Sequence, residues 1–293
     1  MSPGQANGTD PGARVPGRWS DLAPRVLSAL VMAVLGVGAV WAGGAVFAVL
    51  VLAVCAAMMW ELARMTGAGG FQALLPALLA LGVLALNLWS AHPWPLLLLL
   101  VPVLVGLMVA SRDAFAFGLY APVILMTGLA LVLLRQSAVI DGRLAVVWLV
   151  GVVIASDVAG YFAGRILGGP KFWPRLSPKK TWSGTVAGWI AAALLGLGFV
   201  LAGQGGWAMV AISALVALAG QLGDIAESAI KRRAGVKDAS ALIPGHGGLM
   251  DRFDALAFAA IAAALIQILW PFLPLAGRVV AGAAAGIAAG AGG

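Results

Sequence analysis

Residues 221–254 contain an unusual concentration of charged side chains. Five of the 11 acidic residues of the chain fall in this stretch, together with five basic residues and one histidine. The acidic residues are Asp224, Glu227, Asp238, Asp251 and Asp254, and the basic residues are Lys231, Arg232, Arg233, Lys237 and Arg252. Carboxylates hold divalent cations, and Lys and Arg bind phosphate groups. This mixture therefore indicates chemistry on phosphorylated molecules.

The first part of the stretch has helical spacing. The pattern i, i+3, i+4 and i+7 places residues on one face of an α-helix, and it is shared by Asp224, Glu227, Ser228 and Lys231. A carboxylate near the end of a membrane span is costly unless it faces water, a cation or a base, which favours a functional role. The alternative is that the two acidic residues only form ion pairs with Lys231 or Arg232.

A glycine-rich turn follows, with the sequence PGHGG at residues 244–248. Glycines let backbone N–H groups approach a ligand closely. Asp251 and Asp254 come next, three residues apart at a predicted helix start. Such hard oxygen ligands suit Mg²⁺, which also takes water and substrate phosphate oxygens. We interpret His246 as a hydrogen-bond donor to phosphate, with a turn-filling role as the alternative.

A second polar segment, residues 156–184, lies earlier in the chain. Asp157, Tyr161 and Gly164 share one helical face, and Gly160 permits the close approach of a helix or a ligand. The basic and hydroxyl residues that follow are Arg165, Lys171, Arg175, Lys179, Lys180, Ser177, Thr181 and Ser183. An ordinary basic loop at the cytoplasmic face explains the charges, but it does not explain Asp157 at membrane depth.

The composition indicates a membrane protein. Of 293 residues, 62% are apolar and 10% are charged, whereas roughly a quarter of the residues of a soluble domain are charged. The net charge of +7 fits basic loops that contact anionic lipid headgroups. We expect no nucleic acid partner, because the chain has no long basic and aromatic surface segment. The single cysteine, Cys55, has no partner for a disulfide.

We predict an all-α polytopic membrane protein with about nine transmembrane helices, because nine apolar runs are long enough to cross the bilayer. The predicted spans are 26–42, 45–60, 71–89, 94–110, 114–134, 144–164, 185–203, 207–226 and 254–273. Helices are expected rather than a barrel, since period-two alternation is absent. The predicted regions are a flexible leader at 1–24, a transmembrane scaffold at 25–140, a catalytic transmembrane region at 141–275 and a flexible tail at 276–293.

The basic residues predict the orientation of the chain, because Lys and Arg accumulate in short cytoplasmic loops. Nine spans with a cytoplasmic N-terminus leave only Arg135, Arg143 and Arg278, of the 18 Lys and Arg residues, on the outer side. Both polar segments then lie on the inner side. We therefore predict an integral membrane protein whose C-terminal half forms a polar cavity, and an active site, at the cytoplasmic face.

The order of these residues resembles the signature of the phosphatidate cytidylyltransferases, also called CDP-diacylglycerol synthases. The resemblance is carried by the pattern SxxKRxxxxKDxxxxxPGHGGxxDRxD, which runs from Ser228 to Asp254. Asp157, Gly164, Arg165 and the run at 177–184 are similar to the second motif of that family. Many members have an acidic or amide residue where this chain has Ser183. The similarity covers the C-terminal half well, and the N-terminal half only as a comparable set of apolar spans.

The resemblance implies a reaction between CTP and phosphatidate that gives CDP-diacylglycerol and pyrophosphate and requires Mg²⁺. It implies that Mg²⁺ is held by Asp224 and Asp251, with Asp254 and Asp157 as further candidates. Lys231, Lys237 and Arg252 join Asp224 and Asp251 as candidate catalytic residues. The candidate substrate-binding residues are Ser177, Lys180, Thr181, Ser228, Arg232, Asp238, His246, Gly247 and Gly248.

Three alternatives to this reaction remain at the level of sequence. Two are CTP-dependent transferases that act on another lipid phosphate or on a lipid alcohol. The third is a cation or phosphate carrier that uses the same charged cavity. In each case membrane lipids are expected partners, and a homodimer is a candidate assembly.

Overall fold

The computed structural model describes residues 22–90, 94–136, 141–174 and 176–270. Most of the predicted leader, all of the predicted tail and Arg175 lie outside these residues. The α-helices are α1 Leu22–Ala42, α2 Gly44–Met65, α3 Leu74–Trp89, α4 Leu100–Val109, α5 Ala114–Gln136, α6 Gly142–Ile166, α7 Trp182–Leu201, α8 Ala208–Ala234 and α9 Met250–Leu269. In the described part of the chain, eight helices are long and apolar enough to cross a membrane. The prediction of an all-α polytopic membrane protein is confirmed.

The fourth predicted span is shorter than expected. Residues 94–110 form a 3₁₀ helix at Trp94–Leu99 followed by α4, which has 10 residues. Proline has no N–H group and is tolerated in the first turn of an α-helix. Pro102 lies in that first turn, so the α-helix starts late in the apolar run. Among the described residues, eight long helices and one short one therefore replace the nine predicted spans.

Two helices extend further than predicted, and both extensions carry charge. α2 continues past residue 60 and includes Glu61. α8 continues past residue 226 and includes Lys231. It ends at Gly235, whose φ of 72° is in the left-handed region that favours glycine after a helix. A helix that leaves the bilayer thus continues through polar residues until a stop signal, which hydropathy alone does not detect.

The basic loop between α6 and α7 contains a small hairpin that we did not predict. β1 (Lys171–Trp173) and β2 (Ser177–Thr181) pair in antiparallel fashion. Phe172 packs edge-on against Trp182, with the ring centroids 4.7 Å apart. This pairing fixes the chain just before α7 and therefore holds Lys180 in place.

Consecutive helices run in opposite directions, so the two polar segments meet at one end of the bundle. At this end, which we call the charged end, Asp113 before α5 accepts hydrogen bonds from Arg233 of α8 at 2.6 and 3.0 Å. These bonds lower the pKa of the Asp113 carboxyl, which keeps the pair charged at neutral pH. Glu61 near the end of α2 likewise contacts Met250 at the start of α9.

α6 and α7 cross closely at glycines. A Cβ atom on Gly184 would lie 2.5 Å from the carbonyl oxygen of Gly160, and one on Gly164 would lie 2.9 Å from Thr181 Oγ1. Small residues allow two membrane helices to approach in this way. The crossing brings the N-terminus of α7 against the face of α6 that carries Asp157.

The apolar core is centred on α2, α5, α6 and α9, and α1 lies at its edge. Met58, Phe117 and Trp148 are fully buried, and the indole N–H of Trp148 donates to Ser213 Oγ of α8 at 2.9 Å. In α1, by contrast, the buried residue is Ala39. Its exposed apolar side chains suit contact with lipid.

Candidate active site

A cavity of about 550 Å³ opens at the charged end between α6, the hairpin, the start of α7 and α8. Its wall combines acidic, basic and hydroxyl side chains with glycines. These include Asp157, Tyr161, Arg165, Lys179, Lys180 and Thr181. The one-face spacing of Asp157, Tyr161 and Gly164 in α6 thus brings all three to the same wall.

Gln221 of α8 lines this cavity and forms hydrogen bonds to the neighbouring helices. Its amide nitrogen donates to Ser156 Oγ at 3.2 Å and to the carbonyl oxygen of Thr185 at 3.3 Å. Its amide oxygen accepts from the indole N–H of Trp189 at 3.0 Å. Gln221 therefore joins α6, α7 and α8 through buried polar contacts, and these contacts fix the helices around the cavity.

Three carboxylates from three helices converge beside the cavity. Asp157 of α6, Asp224 of α8 and Asp254 of α9 lie within electrostatic range of one another. Lys180 of β2 forms an ion pair with Asp224. Because Lys180 comes from a separate segment, the pair links the two polar regions that were found in the sequence.

A second ion cluster lies one to two helical turns further along α8. Lys231 Nζ is 2.7 Å from Glu227 Oε2 and 2.6 Å from Asp251 Oδ1. Glu227 is 1% exposed, and its Oε1 has no hydrogen-bond partner among the described residues. Glu227 is also within electrostatic range of Asp254, so the two clusters are continuous. The helix-end ion pair proposed as an alternative thus holds for Glu227 with Lys231, whereas Asp224 pairs with Lys180.

Asp251 organises the loop that precedes α9. Its Oδ2 accepts hydrogen bonds from the backbone N–H groups of Ala239 at 2.8 Å and Gly248 at 2.7 Å. Gly247 adopts a φ of 82°, and a Cβ atom there would lie 2.8 Å from the same oxygen. With Lys231 on Oδ1, both oxygens of Asp251 have partners. A metal ion would reach this carboxylate through the oxygen that Lys231 contacts.

A second cavity of about 400 Å³ lies at the glycine-rich loop. The charged side chains and the histidine that line it are Arg25, Lys237, Asp238, His246 and Arg252. The Arg252 guanidinium donates to the carbonyl oxygen of His246 at 3.0 and 2.8 Å. Ser28 Oγ of α1 lies 2.8 Å from His246 Nδ1. The first helix thus contributes to this cavity, which the sequence did not reveal.

Four candidate substrate-binding residues are not found among the described residues that line the two cavities. Ser177 lies in β2, Ser228 is half-buried on α8, Arg232 is exposed on α8, and Gly248 packs against Glu61. Thr181 does line the larger cavity and also caps α7, since its Oγ1 accepts from the Gly184 N–H at 3.2 Å.

Similarity to known proteins covers nearly the whole described chain. A family model with the description "Cytidylyltransferase family" matches residues 23–269. The chain belongs to the cytidylyltransferase family. The match extends from α1 to α9, so the N-terminal half shares the family relationship that the sequence motifs indicated mainly for the C-terminal half.

The relatives within this family agree in name. The phosphatidate cytidylyltransferase of Brucella suis biovar 1 is 36% identical over 269 residues, which cover 82% of this chain and 91% of the relative. The phosphatidate cytidylyltransferase of Brucella melitensis biotype 1 has the same identity and coverage. That of Helicobacter pylori is 44% identical over 123 residues, which cover 41% of this chain and 46% of the relative. The resemblance stated from the motifs is confirmed.

The structure also brings a residue to this end of the bundle that the sequence motifs did not include. Glu61 of α2 is completely buried. Its carboxylate accepts hydrogen bonds from the N–H groups of Leu249 at 2.9 Å and Met250 at 2.7 Å, and from Ser240 Oγ at 2.6 Å. Glu61 is the acidic residue of α2, which is apolar except for Glu61 and Arg64 near its end, and a carboxylate in a membrane span indicates function by default. That rule, applied to α2, would have found it.

We expect Gly248→Ala to lower activity by at least about tenfold, because a Cβ atom at this position would lie 2.5 Å from Glu61 Oε1. Glu61 is held by three hydrogen bonds, so the loop must move instead. Initial rates of nucleotide-dependent pyrophosphate release measure the effect. Gly82→Ala is the matched control, because nothing lies within 4 Å of a Cβ atom there. Equal rates for the two variants would contradict the prediction.

Proposed function

We propose that this protein transfers the cytidylyl group of CTP to phosphatidate, giving CDP-diacylglycerol and pyrophosphate. The observation that carries the proposal is the pairing of Lys180 with Asp224, and of Lys231 with Asp251, at one end of a membrane bundle. Such pairs provide cation-binding and phosphate-binding groups side by side. The relatives named as phosphatidate cytidylyltransferases support the same reaction.

The charged side chains of the site can overcome the main obstacle of this reaction, which is repulsion between the two reactants. The phosphate of phosphatidate is already an anionic nucleophile, so the reaction needs no general base. The two reactants are polyanions that repel each other at the α-phosphorus of CTP, and charge neutralisation is therefore the catalytic task. A new P–O bond forms between phosphatidate and the α-phosphorus, and the bond to the β,γ-pyrophosphate breaks.

The carboxylates fit a magnesium ion by their chemistry. No group of three or more His, Cys, Asp or Glu side chains within the described ranges forms a ready-made metal cluster. Mg²⁺ needs only one or two carboxylates, however, because water and substrate phosphates supply its other ligands. We propose that Asp224 and Asp251 hold it, with Asp254 and Asp157 as further ligands. When bound, Mg²⁺ would neutralise charge on the phosphate oxygens.

The lysines have a defined role in this proposal. Lys180 and Lys231 leave Asp224 and Asp251 and bind phosphate oxygens of the two reactants. Lys231 keeps its ion pair with the buried Glu227 in this proposal, so that carboxylate does not lose its basic partner. Lys237, His246 and Arg252 at the second cavity provide further donors for phosphate, together with Arg25 from α1.

We propose that the charged end faces the cytoplasm. Among the described residues, the basic side chains collect at this end, whereas Arg135 and Arg143 lie near the other ends of α5 and α6. Such asymmetry is typical of the cytoplasmic side. The diacyl tails would stay in the bilayer while the headgroup enters the larger cavity. Association of two copies is a separate proposal, which the mass of the purified protein in detergent tests.

The purified protein in mixed micelles should convert CTP and phosphatidate to CDP-diacylglycerol when Mg²⁺ is present. Formation of the lipid product and of pyrophosphate in equal amounts is the expected result. Diacylglycerol in place of phosphatidate is the control, since it lacks the nucleophilic phosphate. A lack of product above a boiled sample would overturn the proposal. A faster reaction with another lipid phosphate would identify that lipid, in place of phosphatidate, as the substrate.

A carrier function is tested in the same preparation. A carrier moves its ion or phosphate across a vesicle membrane without CTP and releases no pyrophosphate. Transport of labelled phosphate into sealed vesicles that lack CTP would therefore favour the carrier over the transferase.

A further inference from the structure

Helix α9 begins without a side-chain cap from the residue that precedes it. The residue before α9 is Leu249, which has no side-chain oxygen to accept a bond from the first N–H groups of the helix. Helix starts usually use Ser, Thr, Asp or Asn for this purpose. Here the carboxylate of Glu61 accepts from the N–H groups of Leu249 and Met250 at 2.9 and 2.7 Å. The cap of α9 therefore comes from α2, which lies far away in the sequence.

Within the described part of the chain, the hydrogen bonds of Glu61 connect it to residues between 240 and 250. Besides the two backbone N–H groups, Ser240 Oγ donates to Glu61 Oε1 at 2.6 Å. Gly248 also packs directly against the carboxylate, with no space for a Cβ atom. A completely buried carboxylate is costly unless hydrogen bonds and an opposite charge compensate it. The positive end of the α9 dipole and these donors supply that compensation.

The cap lies beside the residues that carry the proposed chemistry. Asp251 follows Met250 directly, and its own carboxylate binds the N–H of Gly248. Glu61 and Asp251 therefore hold the same short backbone segment from two sides. If this segment shifts, Asp251 and the phosphate donors of the second cavity shift with it.

We propose that Glu61 is a positioning residue that fixes the start of α9 and the loop at residues 240–249 for phosphate binding. The proposal rests on the proposed function for its kinetic part. Glu61 does not touch the reactants. It acts through the backbone of Leu249 and Met250, and its loss weakens the binding of CTP because the phosphate donors of the second cavity shift with this backbone.

The variant Glu61→Gln tests this role while it keeps the size of the side chain. One carboxylate oxygen becomes an amide NH₂, which is a donor facing a backbone N–H donor. We expect the KM for CTP to rise by at least about tenfold, as for the loss of one hydrogen bond to a charged group. We expect kcat to fall as well, because Asp251 is held by the same backbone segment. An unchanged KM in Glu61→Gln would overturn the proposal.

A matched control separates positioning from general stability. Met58→Ala removes a fully buried apolar side chain from the same helix, which costs stability through a cavity. Below its melting temperature, this variant should keep the wild-type KM for CTP. A rise in KM equal to that of Glu61→Gln would show that any weakening of α2 has the same effect and would contradict a specific role.

Hydrogen–deuterium exchange gives a readout that does not depend on activity. In Glu61→Gln, the peptide that covers residues 240–250 should exchange faster, because the N–H group of either Leu249 or Met250 loses its acceptor. The Met58→Ala variant should leave this peptide unchanged. Unchanged exchange in Glu61→Gln would overturn the positioning role. If the wild-type protein lacks the transferase activity but hydrogen exchange in Glu61→Gln increases as expected, the proposed function is wrong and the capping of α9 by Glu61 is supported.

Discussion

Asp224→Asn should lower turnover of CTP with phosphatidate by at least about 100-fold, because it removes a carboxylate proposed to hold the metal ion. The side chain keeps its size, and the change relieves repulsion from Asp157 and Asp254. Folding should therefore change little, although the ion pair with Lys180 is lost. Turnover at several Mg²⁺ concentrations measures the effect, and thermal unfolding in detergent checks the fold.

Asp113→Asn is the matched control for this prediction. Asp113 also lies at the charged end, but it pairs with Arg233 and caps α5 through the Ala116 N–H at 3.0 Å. Asparagine also caps helices well, so this variant should keep wild-type turnover. If Asp224→Asn turned over as fast as Asp113→Asn, Asp224 would have no essential metal-binding role.

Lys231→Met should reduce both stability and turnover, because Lys231 separates two buried acidic side chains. Glu227 and Asp251 are 1% and 5% exposed, and the substitution leaves them close together with no basic partner. Removing one partner of such a buried pair costs about 3–5 kcal/mol of the free energy of unfolding. Loss of a phosphate-binding ammonium group lowers turnover in addition. Chemical denaturation in detergent and initial rates measure the two effects separately.

Arg233→Met provides the comparison on the same helix. The side chain of Arg233 is 54% exposed in its pair with Asp113, and ion pairs of exposed side chains contribute little to stability. This variant should therefore retain nearly full stability and turnover. A loss of stability in Lys231→Met no larger than in Arg233→Met would show that the Lys231 cluster is not needed for the fold.

Much of the fold could be predicted because membrane helices are encoded locally. A long apolar run must form its hydrogen bonds within itself, so each run predicts one helix. The two charged segments could also be recognised in the sequence, because carboxylates are rare in such an apolar chain. Asp157, Asp224 and Asp254 could be assigned to helices from their neighbours alone, and the alternating direction of the helices brings them to one end.

The remaining features depend on contacts between distant segments. Nothing near Glu61 in the sequence indicates that its partners lie at Leu249 and Met250. The contact of Ser28 with His246 is equally remote. The hairpin before α7 was missed for a different reason: its strands have three and five residues, too few to give a clear alternation. The region interpreted as scaffold thus takes part in the candidate site.

The cap of α9 by Glu61 links the site to the order in which the chain is made. α2 is synthesised early, and Met250 follows Glu61 by 189 positions. Until the backbone donors of Leu249 and Met250 are in place, Glu61 in α2 lacks these partners of the native fold. A nascent or truncated chain therefore carries an uncompensated charge in the bilayer. Insertion of α9 removes this penalty, so the burial of Glu61 in α2 depends on α9 being in place.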